Sequence, residues 1–184
     1  MESNEVPVQS DKEKSREQRF VETVIERCRQ DKGQAARLRR ADNPATEYQS
    51  WELLGWFGVD LEKDYERKPF VAIAAAIAKS KSERNGNLTL GGALASCYED
   101  GRESSQAKAR LRRLLACSDL TEVCRILRPL FTLIDSKIGQ PLDYVRLLKQ
   151  LRFFGFESGQ RVKTQWAQEF YGQAVEINKA EVSA

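Results

Sequence analysis

Apolar positions along this chain recur with a helical period almost from end to end. Phe20, Val24 and Cys28, with Val21 and Ile25 between them, mark a first amphipathic helix ending near Gly33. A second helix from about Gln34 carries Arg37, Arg39 and Arg40. It stops before Asp42-Asn43-Pro44, where Asn43 can cap the next helix and Pro44 suits its first position. That third helix is expected to turn Tyr48, Trp51 and Leu54 inward before Gly55 and Gly58 loosen it. Asp60–Lys68 reads as a charged connector, with Pro69 opening a core helix over Phe70–Ala78. Polar Lys79–Asn87 reads as a loop, followed by a short apolar helix over Leu88–Cys97. Gly91-Gly92 inside that helix lacks a following Gly-Lys-Ser/Thr, so it reads as close packing rather than a phosphate loop.

The second half is patterned more strictly. Ala107, Leu111, Leu114 and Leu115 form one stripe, and Asp119 with Glu122 is a capping signature for the next helix. Leu120, Val123, Cys124, Leu127, Phe131 and Ile134 continue along one face, with Pro129 expected to kink that helix or end it early. Pro141 opens a further helix with Tyr144, Leu147, Leu148, Leu151 and Phe154 inward. Val162, Trp166, Phe170 and Ala174 recur every four residues in the last. Nothing alternates with period two for long, so the predicted fold class is all-α, two small helical bundles forming one elongated subunit. The expected division is a tail over residues 1–17, an N-terminal helical lobe over 18–100, a C-terminal bundle over 101–177 and a tail over 178–184, with the boundary in polar Tyr98–Ser105.

Composition narrows the chemistry. The chain has 184 residues, 41% hydrophobic and 31% charged, which suits a folded domain with a real core. It contains no histidine, which removes the commonest general base and the usual partner of a nucleophilic Ser or Cys. Cys28, Cys97, Cys117 and Cys124 form no CxxC pair, so they read as small buried hydrophobes, and no cofactor or metal is expected. Met1–Gln18 has no apolar core of a signal peptide, and Phe70–Ala78 is too short to span a bilayer, so the expected location is cytoplasmic with no membrane partner.

The formal charge is only +3, but it is unevenly spread. Residues 101–165 hold thirteen Lys/Arg against six Asp/Glu, a net +7 that leaves −4 for the rest. Three basic clusters stand out on helices. Arg37, Arg39 and Arg40 make the first, and Lys108, Arg110, Arg112 and Arg113 flank the leucine stripe in the second. Arg146, Lys149 and Arg152 make the third. Guanidinium groups on a rigid helix suit phosphate oxygens, because their planar donor fork matches that geometry. Trp51 and Trp166 fall on apolar faces and read as core, whereas Trp56 is assigned to neither core nor surface.

Several segments occur in the order of a known family. They are Leu38-Arg-Arg-Ala-Asp-Asn-Pro44, Leu90-Gly-Gly-Ala-Leu-Ala95, Arg110-Leu-Arg-Arg-Leu-Leu115, Leu127-Arg128, Leu142-Asp-Tyr144 with Leu147, Leu148 and Leu151, and Arg161-Val162 with Trp166-Ala167 and Phe170-Tyr171. From about Phe20 to Tyr171 the chain resembles the small subunit of the type I-E CRISPR Cascade complex, the CasB family. The resemblance implies a non-catalytic all-α subunit, present in two copies, that lies against the other Cascade subunits and the crRNA. It implies a basic surface that holds the displaced single-stranded non-target DNA and stabilises the R-loop. Arg39, Arg40, Arg110 and Arg128 match basic positions of the family, while Gly92 and Pro129 stand in place of arginines. Two other readings use the same residues: a structural helical adaptor for acidic protein partners, and a stand-alone helix-turn-helix protein. The second would need polar base-reading side chains at the start of a basic helix, and the basic helices here interleave Leu and Ala with Arg instead.

Overall fold

The computed structural model describes residues 14–155 and 157–172. Residues 1–13 of the expected tail over 1–17, the expected tail at 178–184, and Ala174 of the last stripe lie outside the described residues.

The elements are α1 (Arg16–Gln30), α2 (Lys32–Arg40), a 3-10 helix (Pro44–Ser50) running into α3 (Trp51–Trp56), α4 (Asp64–Ser80), α5 (Leu90–Ser96), a 3-10 turn (Gly101–Glu103), α6 (Ser105–Ala116), α7 (Leu120–Ile138), α8 (Tyr144–Phe153) and α9 (Gly159–Tyr171). The described residues are all-α, with one isolated bridge between Leu88 and Leu142. Helix starts follow the expected side chains. Asn43 Oδ1 accepts from Ala45 N at 3.0 Å, and Asp119 Oδ1 accepts from Glu122 N at 2.9 Å while Glu122 Oε2 accepts from Ser118 N at 3.1 Å.

α4 is the central helix. Its run from Pro69 to Ala78 is buried apart from the half-buried Ala72, because α1 and α2 cover one side and α7 and α8 the other. α5 packs most closely on α9, with α6 and α7 around them. One continuous core therefore joins helices from both sides of residue 100. Phe20 meets Phe70 edge-on at 4.7 Å, and the Trp166 ring stacks on Phe154 at 5.6 Å. The stripes of α8 and α9, from Tyr144 to Phe154 and from Val162 to Phe170, are buried as patterned.

Four local expectations are corrected. Residues 64–68 are the first turns of α4 rather than a connector, held by Arg67 to Glu47 and Asp64 at 2.6 Å each. Pro129 does not end α7, which runs on to Ile138, because Ile126, Leu127, Leu130 and Ile134 are buried on both sides of it. Tyr48 and Trp51 face solvent, 59% and 42% exposed, since the 3-10 segment shifts the register and Leu53 and Leu54 take the inward positions. The first turn of α1 also takes in Arg16 and Glu17, and Glu17 is buried.

Gly91 explains how closely α5 lies on α9. A Cβ there would stand 2.4 Å from the Trp166 carbonyl oxygen and 2.7 Å from Phe170 N. The expected close packing at this glycine is therefore what the helices use.

Candidate nucleic-acid interface

Asp42 sits just past the end of α2, where α2, α4 and α7 converge. Its Oδ1 accepts from Arg128 Nε of α7 at 2.9 Å, and its Oδ2 pairs with Lys79 Nζ of α4. Leu38 and Ala41 are buried, which anchors the last turn of α2 and leaves Arg39 and Arg40 beside Asp42. Arg39, Arg40, Lys79 and Arg128 thus line one open depression with Asn43 and Thr46. Four cations face one carboxylate, and the surplus suits a multiply charged anion.

A second basic surface lies between α6 and α7. Ala107, Leu111 and Leu114 are buried, so Arg110 and Arg113 emerge along the edge of α6 and meet Arg125 of α7. The groove between them has an apolar floor of Ala109, Ile126, Pro129 and Leu130. Pro129 is part of that floor. Tyr98 OH accepts from Arg110 Nε at 2.6 Å and fixes that guanidinium. Arg125 and Arg128 are three residues apart on α7, so their side chains are surface neighbours that link the groove to the depression.

The remaining sequence-derived cations are placed differently. Lys108 pairs with Glu103 at 2.7 Å, Arg112 faces outward, and Arg37 is exposed with Nη2 donating to Gln34 Oε1 at 3.0 Å. The third cluster is dispersed. Arg146 is bound to Glu169 of α9 at 2.8 Å, Lys149 faces outward, and Arg152 pairs with buried Glu17 while lying over the Phe70 ring at 5.7 Å. Steps of three residues precess by about 60° around a helix, so Arg152 points about 120° away from Arg146. Arg152 is an internal contact between α8 and α1.

Sequence reasoning passed over Lys79, Arg125 and Asp42. Lys79 looks like the start of a loop and Arg125 has a nearby acid in Glu122, which the structure leaves at a loose 3.9 Å. Only the convergence of helices gives Lys79 and Asp42 their setting. Trp56 is 66% exposed, with the Arg27 guanidinium over its ring at 4.5 Å.

Among the described residues no group of His, Cys, Asp and Glu is placed to hold a metal ion. Burial pushes the Cys28 thiol up to about 11 and the Cys124 thiol up to about 12, the opposite of an activated nucleophile. No helix among the described residues is long and apolar enough to cross a membrane. What the arrangement offers is fixed guanidinium and ammonium groups beside short apolar surfaces, which can grip phosphates and pack against the sugars and bases between them.

The family model of CRISPR-associated protein Cse2 matches residues 34–171. No curated protein matches the chain significantly. Among solved structures, CasB from M. ruber is 26% identical, with a TM-score of 0.66 over 86% of this chain and 94% of that one. A Cse2-family CRISPR-associated protein from Thermus thermophilus is 23% identical, with a TM-score of 0.68 over 87% of this chain and all of that one. A chain of a CRISPR RNA-guided surveillance complex is 22% identical, with a TM-score of 0.66 over 84% and 91%.

Proposed function

The chain belongs to the CRISPR-associated protein Cse2 family, and from that premise we propose that it is a non-catalytic subunit of a CRISPR Cascade surveillance complex that holds single-stranded DNA on its basic face. The observation that carries this reading is the meeting of Arg39 and Arg40 of α2, Lys79 of α4 and Arg128 of α7 in one depression. Arg125 extends it to the Arg110–Arg113 groove. Cations drawn from four helices are held in a fixed relation that no single helix provides.

Such a face contacts phosphates and sugars without reading sequence. In guided recognition, base pairing to the crRNA carries specificity, and strand exchange is nearly balanced in free energy. Modest backbone contacts to the displaced non-target strand are then enough to tip it toward the R-loop. The partners in this reading are the other Cascade subunits, the crRNA, the displaced strand and a second copy of this chain. Duplex reading by α7 is disfavoured, because the polar side chains at its start are engaged. Thr121 Oγ1 accepts from Lys68 Nζ at 2.6 Å, and Glu122 accepts from Ser118 N at 3.1 Å.

The test is fluorescence anisotropy of a labelled single strand, with a random-sequence duplex alongside, at two salt concentrations. Salt-sensitive, sequence-indifferent binding that favours the single strand is expected. Absence of binding at low salt would instead favour an adaptor that meets acidic proteins.

A further inference from the structure

We propose that the cavity between residues 80–84 and 139–142 receives one nucleobase bearing an exocyclic amine, turned out of the single strand that lies on the basic face. The inference rests on the strand-binding reading above and adds a site to it.

The cavity measures about 560 Å³, within the range of small-molecule sites. Its frame is preformed. Gly86 N donates to Leu142 O at 2.9 Å and Asp143 N to Leu88 O at 2.8 Å, which stitches the two segments together. Gly86 lies so close to Pro141 that a Cβ would fall 1.7 Å from the Pro141 carbonyl oxygen. Lys81 ends α4 in the left-handed region, φ 52°, a conformation that costs a non-glycine residue and that clusters at functional sites.

The polar lining is rich in acceptors. Ser80 Oγ lies 2.6 Å from Ser82 Oγ and 2.9 Å from Tyr144 OH, and it also donates to Ile77 O at 3.2 Å. Ser82 Oγ and Tyr144 OH also lie 3.2 Å apart, so three hydroxyl protons face four contacts within the cluster. All three protons can be taken up inside the cluster, which leaves oxygen lone pairs to offer a ligand. Burial pushes the Tyr144 hydroxyl above its ordinary range, so it stays protonated. Glu83 and Asp135 add carboxylate acceptors to the lining. Lys79, Lys81 and Arg84 on the same lining attract a phosphate, but Glu83 and Asp135 repel it, whereas an amine-bearing base edge supplies N–H donors to the acceptors. Phe131, Ile134 and Leu142 provide the apolar wall that a base face needs.

The cations complete a site for a nucleotide rather than a free base. Lys79, Lys81 and Arg84 belong to the lining, and Lys79 also lines the depression with Arg39, Arg40 and Arg128. A strand held in that depression therefore passes the cavity with its phosphates on the shared lysine.

The experiment uses the full chain and three labelled strands of equal length: oligo-dC, oligo-dT and an abasic deoxyribose-phosphate strand. Oligo-dC is expected to bind about tenfold more tightly than the abasic strand, with oligo-dT between the two, since stacking serves either base and only cytosine brings the amine. Thr132→Trp, at an exposed position on the lining, is expected to abolish the oligo-dC advantage and leave abasic binding unchanged. Ser82→Ala is the milder companion and reduces the same advantage. Equal binding of oligo-dC and the abasic strand, or an advantage that survives both variants, overturns the base site and leaves the basic face standing. Failure of every strand to bind at low salt overturns both.

Discussion

Arg128 and Asp42, 86 positions apart, meet at 2.9 Å through the Arg128 Nε–H and Asp42 Oδ1. The contact ties α7 to the end of α2, and because Lys79 shares the same carboxylate it also ties in α4. Asp42 thus holds two cations of the candidate interface in place while leaving the site with surplus positive charge.

A double-mutant cycle of Asp42→Ala and Arg128→Ala is expected to give a coupling of about 0.5–1 kcal/mol by urea denaturation, since Arg128 is partly solvated. Asp42→Asn, which removes one negative charge from the depression, is expected to tighten single-strand binding at low salt. Weakened binding in that variant would argue against a phosphate-facing site.

Reversing Arg110 and Arg113 to Glu should weaken single-strand binding for all sequences alike. Each lost phosphate contact lowers the log–log salt slope by about 0.7. Arg146→Ala should leave that slope unchanged, because Arg146 is committed to Glu169. Equal slopes for all three proteins would remove the α6–α7 groove from the contact surface.

Arg152→Ala should act on stability rather than binding. It strands Glu17, which is buried against α8, and breaking such a pair costs on the order of 3 kcal/mol. Burial raises the Glu17 carboxyl, but hydrogen bonds from its own backbone and from Arg152 outweigh it and hold the carboxyl below its ordinary 4.5. A lowered folded value means this stabilisation is complete above pH 4.5 and is lost as pH falls further, through the folded value. The stability gap between the wild type and Glu17→Gln, followed by denaturant melts, should therefore close on acidification below 4.5.

Two glycines should respond with opposite sign. Gly91→Ala forces α5 away from the Trp166 carbonyl and should cost about 1–3 kcal/mol. Gly55→Ala places its methyl group where nothing lies within 4 Å, inside α3, and should stabilise by about 0.5–1 kcal/mol. Thermal melts of the two variants, on either side of the wild type, check the packing of α5 on α9.

Alkylation by iodoacetamide at pH 8 should be slow at Cys28 and Cys124 in the folded chain and fast in denaturant. Burial holds both thiols protonated, near 11 and 12. Fast labelling of the native chain at either position would mean that α1 or α7 opens readily.

The helices, their caps and most inward faces are readable from the chain, because period and capping are local. Tyr144 to Phe154 and Val162 to Phe170 repeat at helical spacing, and Asn43 and Asp119 lie next to the amides they cap. Local rules fail where a tertiary partner overrides them. Pro69 reads as a helix start and Pro129 as a breaker, yet α4 and α7 continue through them because apolar residues beside them are buried. Tyr48 and Trp51 read as core because they fall at helical spacing with Leu54, but the 3-10 segment turns them out and buries Leu53 beside Leu54.

Charge divides in the same way. Which residues carry it, and its excess over 101–165, can be read straight from the chain. Whether a given arginine faces a phosphate or a carboxylate depends on what lies opposite, and opposites here come from distant segments: Glu17 for Arg152, Glu169 for Arg146, Asp42 for Arg128. Periodicity and composition alone thus specify an all-helical chain with basic stretches and no histidine chemistry. Which of its cations share a surface is a matter of folding, because an ion pair is set by distance in space and helix packing alone brings residues 42, 79 and 128 together.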